Sequence, residues 1–368
     1  MEPPMTNDNN QPKYFRLKEY LKDEILMGRI RPGEQIPSEN TLAEMFSISR
    51  NTVRKAVSIL INDGYLTSEH GRGTYCLDIS LKRSASRNIG VITTYISEYI
   101  FPRVIQGIDS VLSRNGYSII LKNTNNDTAN EYSCLKDMLG KNVEGLIIEP
   151  TKSALFSRNL ELFKALDNSG IPYVFIHGCH QNLANKPCVI LDDAAGMYSA
   201  VKYLAELGHR KIIGIFKADD IQGLNRHKGY ARALADAGLS YDPDNVILFH
   251  TEDKETKPVN AIREMIMSGR RTDAIACYND EIAFKIFQLV DGMGLKVPED
   301  ISITGFDDSH LSENGAVRLT SVSHPKERLG TAAAELLLDI LGGKDNVSSY
   351  SQQVIVPELV IKDSCKKR

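Results

Sequence analysis

Tryptophan is absent from this 368-residue chain, and aromatic residues make up only 7% of it. Any ring stacked on a ligand must therefore be a tyrosine or a phenylalanine. Cysteine is sparse: Cys76, Cys134, Cys179, Cys188, Cys277 and Cys365 are scattered without metal-ligand spacing. No apolar run reaches the roughly 18 residues a membrane-spanning helix needs, and no signal-peptide pattern is present. A reduced, cytoplasmic protein with no membrane partner, metal or cofactor is expected. An excess of either charge is also missing. A net charge of -3 and a pI near 6.3 would by themselves argue against a nucleic-acid binder.

The distribution of charge reverses that argument. Residues 13–87 hold 13 Lys/Arg against 9 Asp/Glu, a net of +4, whereas residues 88–368 hold 31 against 36, a net of -5. Within the positive part, Ser38 precedes an apolar-periodic run (Leu42, Ala43, Phe46), as an N-cap should. Ser49 is placed to cap a second helix whose Val53, Val57, Leu60 and Ile61 share one face, while Arg50, Asn51, Arg54 and Lys55 share the other. Two short helices with a tight turn, the second basic at its start, describe a helix-turn-helix whose second helix can enter a major groove. Gly64, a β-prone Tyr65-Leu66-Thr67, the turn His70-Gly71-Arg72-Gly73 and Thr74-Tyr75-Cys76 then read as a hairpin with a basic tip.

These residues resemble the winged helix-turn-helix of GntR-type bacterial regulators over about residues 13–77. Pro37-Ser38-Glu39, Ser49-Arg50-Asn51-Thr52-Val53-Arg54, Asp63-Gly64 and Gly71-Arg72-Gly73-Thr74 carry the likeness. The resemblance implies operator contacts from Glu39 or Asn40 on the first helix, from Arg50, Asn51, Thr52 and Arg54 on the second, and from His70, Gly71 and Arg72 at the wing tip.

Met1–Pro12 has no apolar periodicity and is expected to be disordered. Tyr14–Met27 reads as a helix that buttresses the helix-turn-helix. Residues 78–87, DISLKRSASR, are polar and basic and read as a flexible linker. From Asn88 the texture changes. Short apolar runs at 88–92, 117–121, 145–148, 172–176, 187–191, 211–216, 245–248, 273–276 and 301–305 alternate with helical patterns, among them 101–114, 155–168, 224–237 and 280–291. Such alternation means βαβ units and parallel sheets covered by helices. So many strands exceed one comfortable sheet, and two similar halves are expected.

Residues 88–362 resemble the effector-binding domain of LacI-type repressors, which shares the fold of periplasmic sugar-binding proteins. The matching pieces include Val143-Glu-Gly-Leu-Ile-Ile, Leu207-Gly-His-Arg-Lys-Ile, Arg226-His-Lys-Gly-Tyr, Asp273-Ala-Ile-Ala-Cys-Tyr-Asn-Asp and Val297-Pro-Glu-Asp-Ile-Ser-Ile-Thr-Gly-Phe-Asp-Asp. The expected fold class is α/β: a winged helix-turn-helix (13–77), a linker (78–87) and a two-lobed effector domain (88–368) with doubly wound parallel sheets. The resemblance implies three crossovers, near 191, 323 and 350. Lobe 1 is then about 88–191 and 324–350, and lobe 2 about 192–323 and 351–362.

Ligands of open α/β sheets lie off the carboxyl ends of the strands. Those ends point to Thr93–Ser97, Glu149, His177, Asp192-Asp193, Tyr278-Asn279-Asp280 and Asp307-Asp308. Carboxylates, amides and a guanidinium at one cleft suit a polyhydroxyl ligand, whose hydroxyls each donate and accept. The resemblance implies effector contacts from His177, Arg226, Asn279, Asp307 and His324; Glu149 joins them from its strand end, and Tyr95, Phe101 and Tyr278 are the candidates for stacking. Each has a plainer reading: Asp307 as a turn residue, Asn279 as a helix cap, Arg226 as a solvated charge, His177 as a loop histidine. His177, Cys179 and His180 together leave a metal geometry incomplete.

A GntR-type reader fused to a LacI-type sensor resembles the arabinose-responsive repressors of sugar-utilisation genes. That pairing implies a homodimer on a palindromic double-stranded operator, with L-arabinose as the effector. The residues alone support only a small polyol or monosaccharide. The rivals are an activator or co-repressor-type regulator of another ligand, and a sugar-acting enzyme using Asp192, Asp193 and Asp307 as acid and base. On the sensor reading, Arg226→Ala is expected to fold normally and to lose only its response to ligand.

Overall fold

The computed structural model describes residues 11–78, 86–97, 99–313, 317–343 and 352–368. The expected disordered tail and the 78–87 linker lie largely outside these residues. The chain divides into two compact units. One holds the segment up to Gly90 together with Tyr132–Gly145 and Asn159–Pro172; the other holds Val91–Glu131, Leu146–Arg158 and Tyr173–Arg368.

In the first unit, helices α1 (Lys13–Leu26), α2 (Glu39–Phe46) and α3 (Arg50–Asn62) precede a hairpin of β1 (Leu66–Glu69) and β2 (Gly73–Cys76). Ser38 accepts the Thr41 N–H and Ser49 the Thr52 N–H, each at 3.2 Å, so both serines cap as their positions suggest. Ser47, with φ 49, ends α2 in the left-handed region and sets the turn. Leu17 and Leu21 of α1, Leu42 of α2, and Val53, Val57 and Leu60 of α3 bury one shared core. In the same unit Lys136 pairs with Asp23 at 2.6 Å, and the Tyr65 hydroxyl donates to the Gly140 carbonyl at 3.2 Å.

The second unit is built on two six-stranded sheets. In one the order is β4 (Ser118–Asn123), β3 (Asn88–Thr93), β5 (Gly145–Ile148), β6 (Tyr173–Ile176), β7 (Cys188–Leu191) and β13 (Gln352–Ile355). In the other it is β9 (Val246–Phe249), β8 (Ile212–Lys217), β10 (Ala274–Cys277), β11 (Ser302–Asp307), β12 (Thr320–Ser323) and β14 (Leu359–Val360). Strands β8 to β12 run parallel, and β14 is antiparallel to β12. The two halves repeat one plan. Each starts on its second strand, steps to the edge, then returns to the other side. The order therefore reverses between β3 and β5 and between β8 and β10, and a crevice opens at such a switch point.

Helices Phe101–Arg114 and Lys326–Leu341 cross closely in the first half, because glycines stand at the crossing. A Cβ on Gly107 would lie 2.2 Å from the Glu327 carbonyl oxygen, and one on Gly330 2.2 Å from that of Val104. Helices Asp193–Glu206 and Ile221–Asp236 cross in the same way at Gly229 in the second half.

Two expectations are corrected. The third crossover is not near 350, a position outside the described residues. β13 pairs in parallel with β7, so Gln352–Ile355 belongs to the first sheet and the passage falls at 356–358. The helix expected over 155–168 spans only Leu160–Asn168. The residues before it are held in turns by polar partners: the Thr151 N–H donates to Glu131 and the Lys152 N–H to Asn126. The elements after residue 305 (β12, the 326–341 helix, β13 and β14) had no assignment; the strands among them are two to four residues long and carry little periodic signal.

Candidate functional site

On the reader, Asn40, Arg50, Asn51 and Arg54 are exposed, and so are His70, Gly71 and Arg72 at the wing tip. Arg54 Nε donates to Glu39 Oε2 at 2.8 Å, with side chains 65% and 41% exposed. A pair that open is worth about 0–1 kcal/mol, so its effect is to orient Arg54 rather than to stabilise the fold. Thr52 is half-buried, and its hydroxyl shares a 2.9 Å hydrogen bond with Ser49, which makes it part of the cap. Gly71 has φ 74 with nothing within 4 Å of a Cβ position. The tip is thus a left-handed turn open to solvent. The Arg72 carbonyl accepts from Gln35 Nε2 at 3.0 Å and from the Tyr75 hydroxyl at 3.2 Å, fixing the turn.

In the second unit, the loops after β3, β5, β8 and β10 meet around a cavity of about 110 Å³. All eight effector residues anticipated from the sequence line it: Tyr95, Glu149, His177, Arg226, Tyr278, Asn279, Asp307 and His324. The space holds several waters or one small polyol.

Arg226 is not a solvated charge. Its side chain is 5% exposed; Nε donates to Asp193 Oδ1 at 2.8 Å, one terminal nitrogen to the Tyr278 carbonyl at 2.7 Å, and the other reaches Asp307 Oδ1 at 3.5 Å. The guanidinium lies 3.6 Å from the Phe306 ring centre and 4.6 Å from that of Tyr278. These contacts engage all three nitrogens of the guanidinium. Burial pushes Asp193 up to about 6 although Arg226 draws it down. Asp192 serves the backbone instead, capping the following helix through the Ala195 N–H at 2.9 Å.

A second buried chain also lines the cavity. Glu149 Oε2 accepts from the Thr94 amide at 2.7 Å and the Thr94 hydroxyl at 2.6 Å, and Oε1 meets His177 Nδ1 at 2.9 Å. His177 Nε2 lies 3.1 Å from His324 Nε2, and His324 Nδ1 is buried without a hydrogen-bond partner. His177 (φ 63), Asp307 (φ 93) and Asp308 (φ 41) all sit in the left-handed region. Such strain costs on the order of 1–3 kcal/mol per residue and persists where the surroundings hold it, as at binding sites. Asn279 does two things. Its Oδ1 caps the following helix through the Ile282 N–H at 3.0 Å, and it also lines the cavity.

Several lining residues escaped the sequence reading. Lys217, at the end of β8, pairs with Asp220 at 3.2 Å, and Asp220 accepts from the Tyr278 hydroxyl at 2.6 Å. Burial lowers the Lys217 pKa, but Asp220 and Asp219 outweigh it and leave it raised. The strand-end rule would have found Lys217 had it been applied to that strand. Asn126 and Ser153 come from loops that no pattern marks, and Gln222 from the first turn of the Ile221–Asp236 helix. The two lobes also touch directly around the cavity. The Tyr99 hydroxyl donates to the Phe306 carbonyl at 3.1 Å, the Ile221 N–H to Ser153 Oγ at 2.9 Å, and Asn126 Nδ2 to Thr251 Oγ1 at 2.6 Å.

Comparison with known proteins places these features in context. Residues 13–76 match the family model described as bacterial regulatory proteins, gntR family, and residues 201–365 match the periplasmic binding protein-like domain. The chain is 38% identical over 362 residues, 96% of each chain, to the arabinose metabolism transcriptional repressor of Halalkalibacterium halodurans. It is 38% identical over 359 residues to the protein of the same name from Geobacillus stearothermophilus, covering 97% of this chain and 98% of that one. Among solved structures, a transcriptional regulator CelR–cellobiose complex superposes with a TM-score of 0.67 at 23% identity, over 89% of this chain and 100% of that one, a likeness of fold alone.

Proposed function

This chain belongs to the family of arabinose metabolism transcriptional repressors, and from that premise we propose that it is a homodimeric repressor released from a palindromic operator when L-arabinose fills the cleft. One winged helix reads a half-site, so a two-fold dimer is required to read a palindrome. The reader acts through Arg50, Asn51 and Arg54 with the Gly71 wing tip, and the effector is held by the eight anticipated residues joined by Asp193 and Lys217. The protein works in the cytoplasm, where its operator is.

The observation that carries this reading is the buried Arg226 guanidinium, tied to Asp193 and Asp307 in the lining of a cavity of about 110 Å³. That chemistry fits the vicinal hydroxyls of a single sugar ring, and the volume favours a monosaccharide over a disaccharide. Tyr95 and Phe101, with ring centres 5.6 Å apart, supply an apolar face in place of the missing tryptophan. A ligand moves a conformational equilibrium only by its differential affinity for the two states. Here it adds bonds to both lobes and so favours the closed state. The test is a band-shift titration of an operator fragment with L-arabinose, other pentoses and a disaccharide. Release by L-arabinose at the lowest concentration supports the reading; release by the disaccharide alone, or by none of them, overturns it.

A further inference from the structure

Two thiols that take no part in the effector site, Cys179 and Cys188, are brought together by the fold. Strand β6 pairs with β7 in parallel and sets Phe175 opposite Cys188. The Phe175 N–H donates to the Pro187 carbonyl at 2.9 Å and the His177 N–H to that of Val189 at 3.0 Å. His177, with φ 63, turns the chain at the end of β6. The loop then folds back over the same strand: the His180 ring stands edge-on to the Phe175 ring, centres 6.4 Å apart. Phe175 is thus the neighbour of both His180 and Cys188, and there the Cys188 thiol donates a hydrogen bond to the Cys179 sulfur. Cys188 is 2% exposed and sits in a strand flanked by β6 and β13, whereas Cys179 is half-buried in the loop.

We propose that Cys179 and Cys188 form a peroxide-responsive dithiol: Cys179 is oxidised, Cys188 resolves it to a disulfide, and the bridge displaces the 177–179 loop beside the cavity. The consequence for effector binding rests on the reading of this cleft as the effector site; the thiol chemistry does not. In the first step the Cys179 sulfur attacks hydrogen peroxide. An S–O bond forms, the O–O bond breaks, and the departing hydroxide takes the thiol proton as water, leaving a sulfenic acid. The Cys188 sulfur then attacks the Cys179 sulfur. An S–S bond forms, the S–O bond breaks, and hydroxide leaves as water with the Cys188 proton. Two thiols give up two electrons and two protons, and one peroxide becomes two waters.

The surroundings decide which thiol attacks. The hydrogen bond from Cys188 draws the Cys179 thiol down to about 7; burial opposes it and His180 adds to it. A large share of Cys179 is therefore thiolate at neutral pH. The same hydrogen bond, with burial, raises Cys188. Burial pushes Cys76 and Cys365 up to about 11, which leaves them poor nucleophiles. An accessible, low-pKa thiol beside a resolving one is the arrangement of redox-sensing cysteines. A covalent S–S bond is shorter than the hydrogen bond it replaces. Cys188 is fixed in its strand, so the loop must move. Two residues before Cys179, His177 meets Glu149 at 2.9 Å and His324 at 3.1 Å in the cavity lining. A Cβ on Gly178 would lie 2.3 Å from Ile221 Cγ2, so the loop cannot shift without disturbing its neighbours.

The test treats the reduced full chain with hydrogen peroxide, alkylates the remaining thiols and digests with trypsin for mass spectrometry. Lys186 precedes Pro187, where trypsin does not cut, so both cysteines stay in one peptide, 165–202. In the wild type that peptide should escape alkylation and be lighter by two hydrogens. In Cys188→Ala, Cys179 should stop at the sulfenic acid, which dimedone traps. The wild-type rate should rise about tenfold per pH unit below about 7 and level off above it, and Cys188→Ala, lacking the hydrogen bond, should level off at higher pH. Should that variant fail to fold, the wild-type peptide decides alone. Amide exchange at His177, whose N–H is bonded to Val189 in the reduced chain, should quicken on oxidation and recover with dithiothreitol. L-Arabinose should bind the oxidised chain about tenfold more weakly in calorimetry, a loss typical of coupling between sites. Failure of L-arabinose to bind the reduced chain overturns the proposed effector and leaves the peptide and exchange readouts to judge the dithiol. No bridge within peptide 165–202, or a bridge that leaves His177 exchange unchanged, overturns the switch.

Discussion

Replacing Arg226 by alanine should destabilise the sensor strongly, contrary to the expectation of normal folding drawn from sequence alone. The side chain is 5% exposed, and its loss leaves the buried Asp193 carboxylate without its 2.8 Å partner and Asp307 without its 3.5 Å one. Breaking a buried pair by removing one member costs about 3–5 kcal/mol, because the remaining charge stays buried and uncompensated. The cost also depends on pH. Burial pushes Asp193 up to about 6 even while Arg226 lowers it, and without Arg226 the group must titrate higher still. A carboxyl whose folded pKa is raised contributes stability below its unfolded pKa, near 4, and loses it as pH rises through the folded value. The deficit of Arg226→Ala should therefore be largest above neutrality and shrink on acidification toward about pH 5. Urea unfolding followed by far-UV circular dichroism measures it, since the chain has no tryptophan to report. Adding Asp193→Asn to Arg226→Ala should recover part of the loss, a coupling of at least about 1 kcal/mol. A deficit under about 1 kcal/mol at neutral pH, or a double variant that is merely additive, refutes the buried-pair argument.

Asp280 provides a second titration: burial pushes it up to about 7 against hydrogen bonds from Ser321 and Ser309. The folded chain keeps a proton that the unfolded chain releases, so this contribution is full below about pH 4 and is lost as pH rises toward 7. Asp280→Asn should flatten that fall in urea midpoints between about pH 4 and 7, and an unchanged slope counts against it. On the reader, Arg54→Ala should weaken binding to the operator more than to random DNA, by about 1–3 kcal/mol of discrimination if the guanidinium grips a guanine edge. Equal loss on both DNAs in fluorescence anisotropy reassigns Arg54 to a phosphate.

Much of this protein was legible in the amino-acid order because the signals are local. Ser38 and Ser49 announce the two helix starts, the alternation of apolar runs from Asn88 announces parallel sheets, and strand ends point to Glu149, His177, Asn279 and Asp307. What sequence could not supply is partnership over long chain separations. Arg226 reads as a possible surface charge until the fold brings Asp193 and Asp307 to it, 33 and 81 residues away. His177 and His324 are separated by 147 residues, and only the return of the chain through its second crossover sets them ring to ring. The passage at 356–358 was misplaced for the same reason. A four-residue strand such as Gln352–Ile355 has no periodicity strong enough to declare its sheet, and only its pairing with β7 assigns it. Residue types and spacing nominated the groups of the cleft; burial and tertiary pairing decided which partners each of them holds.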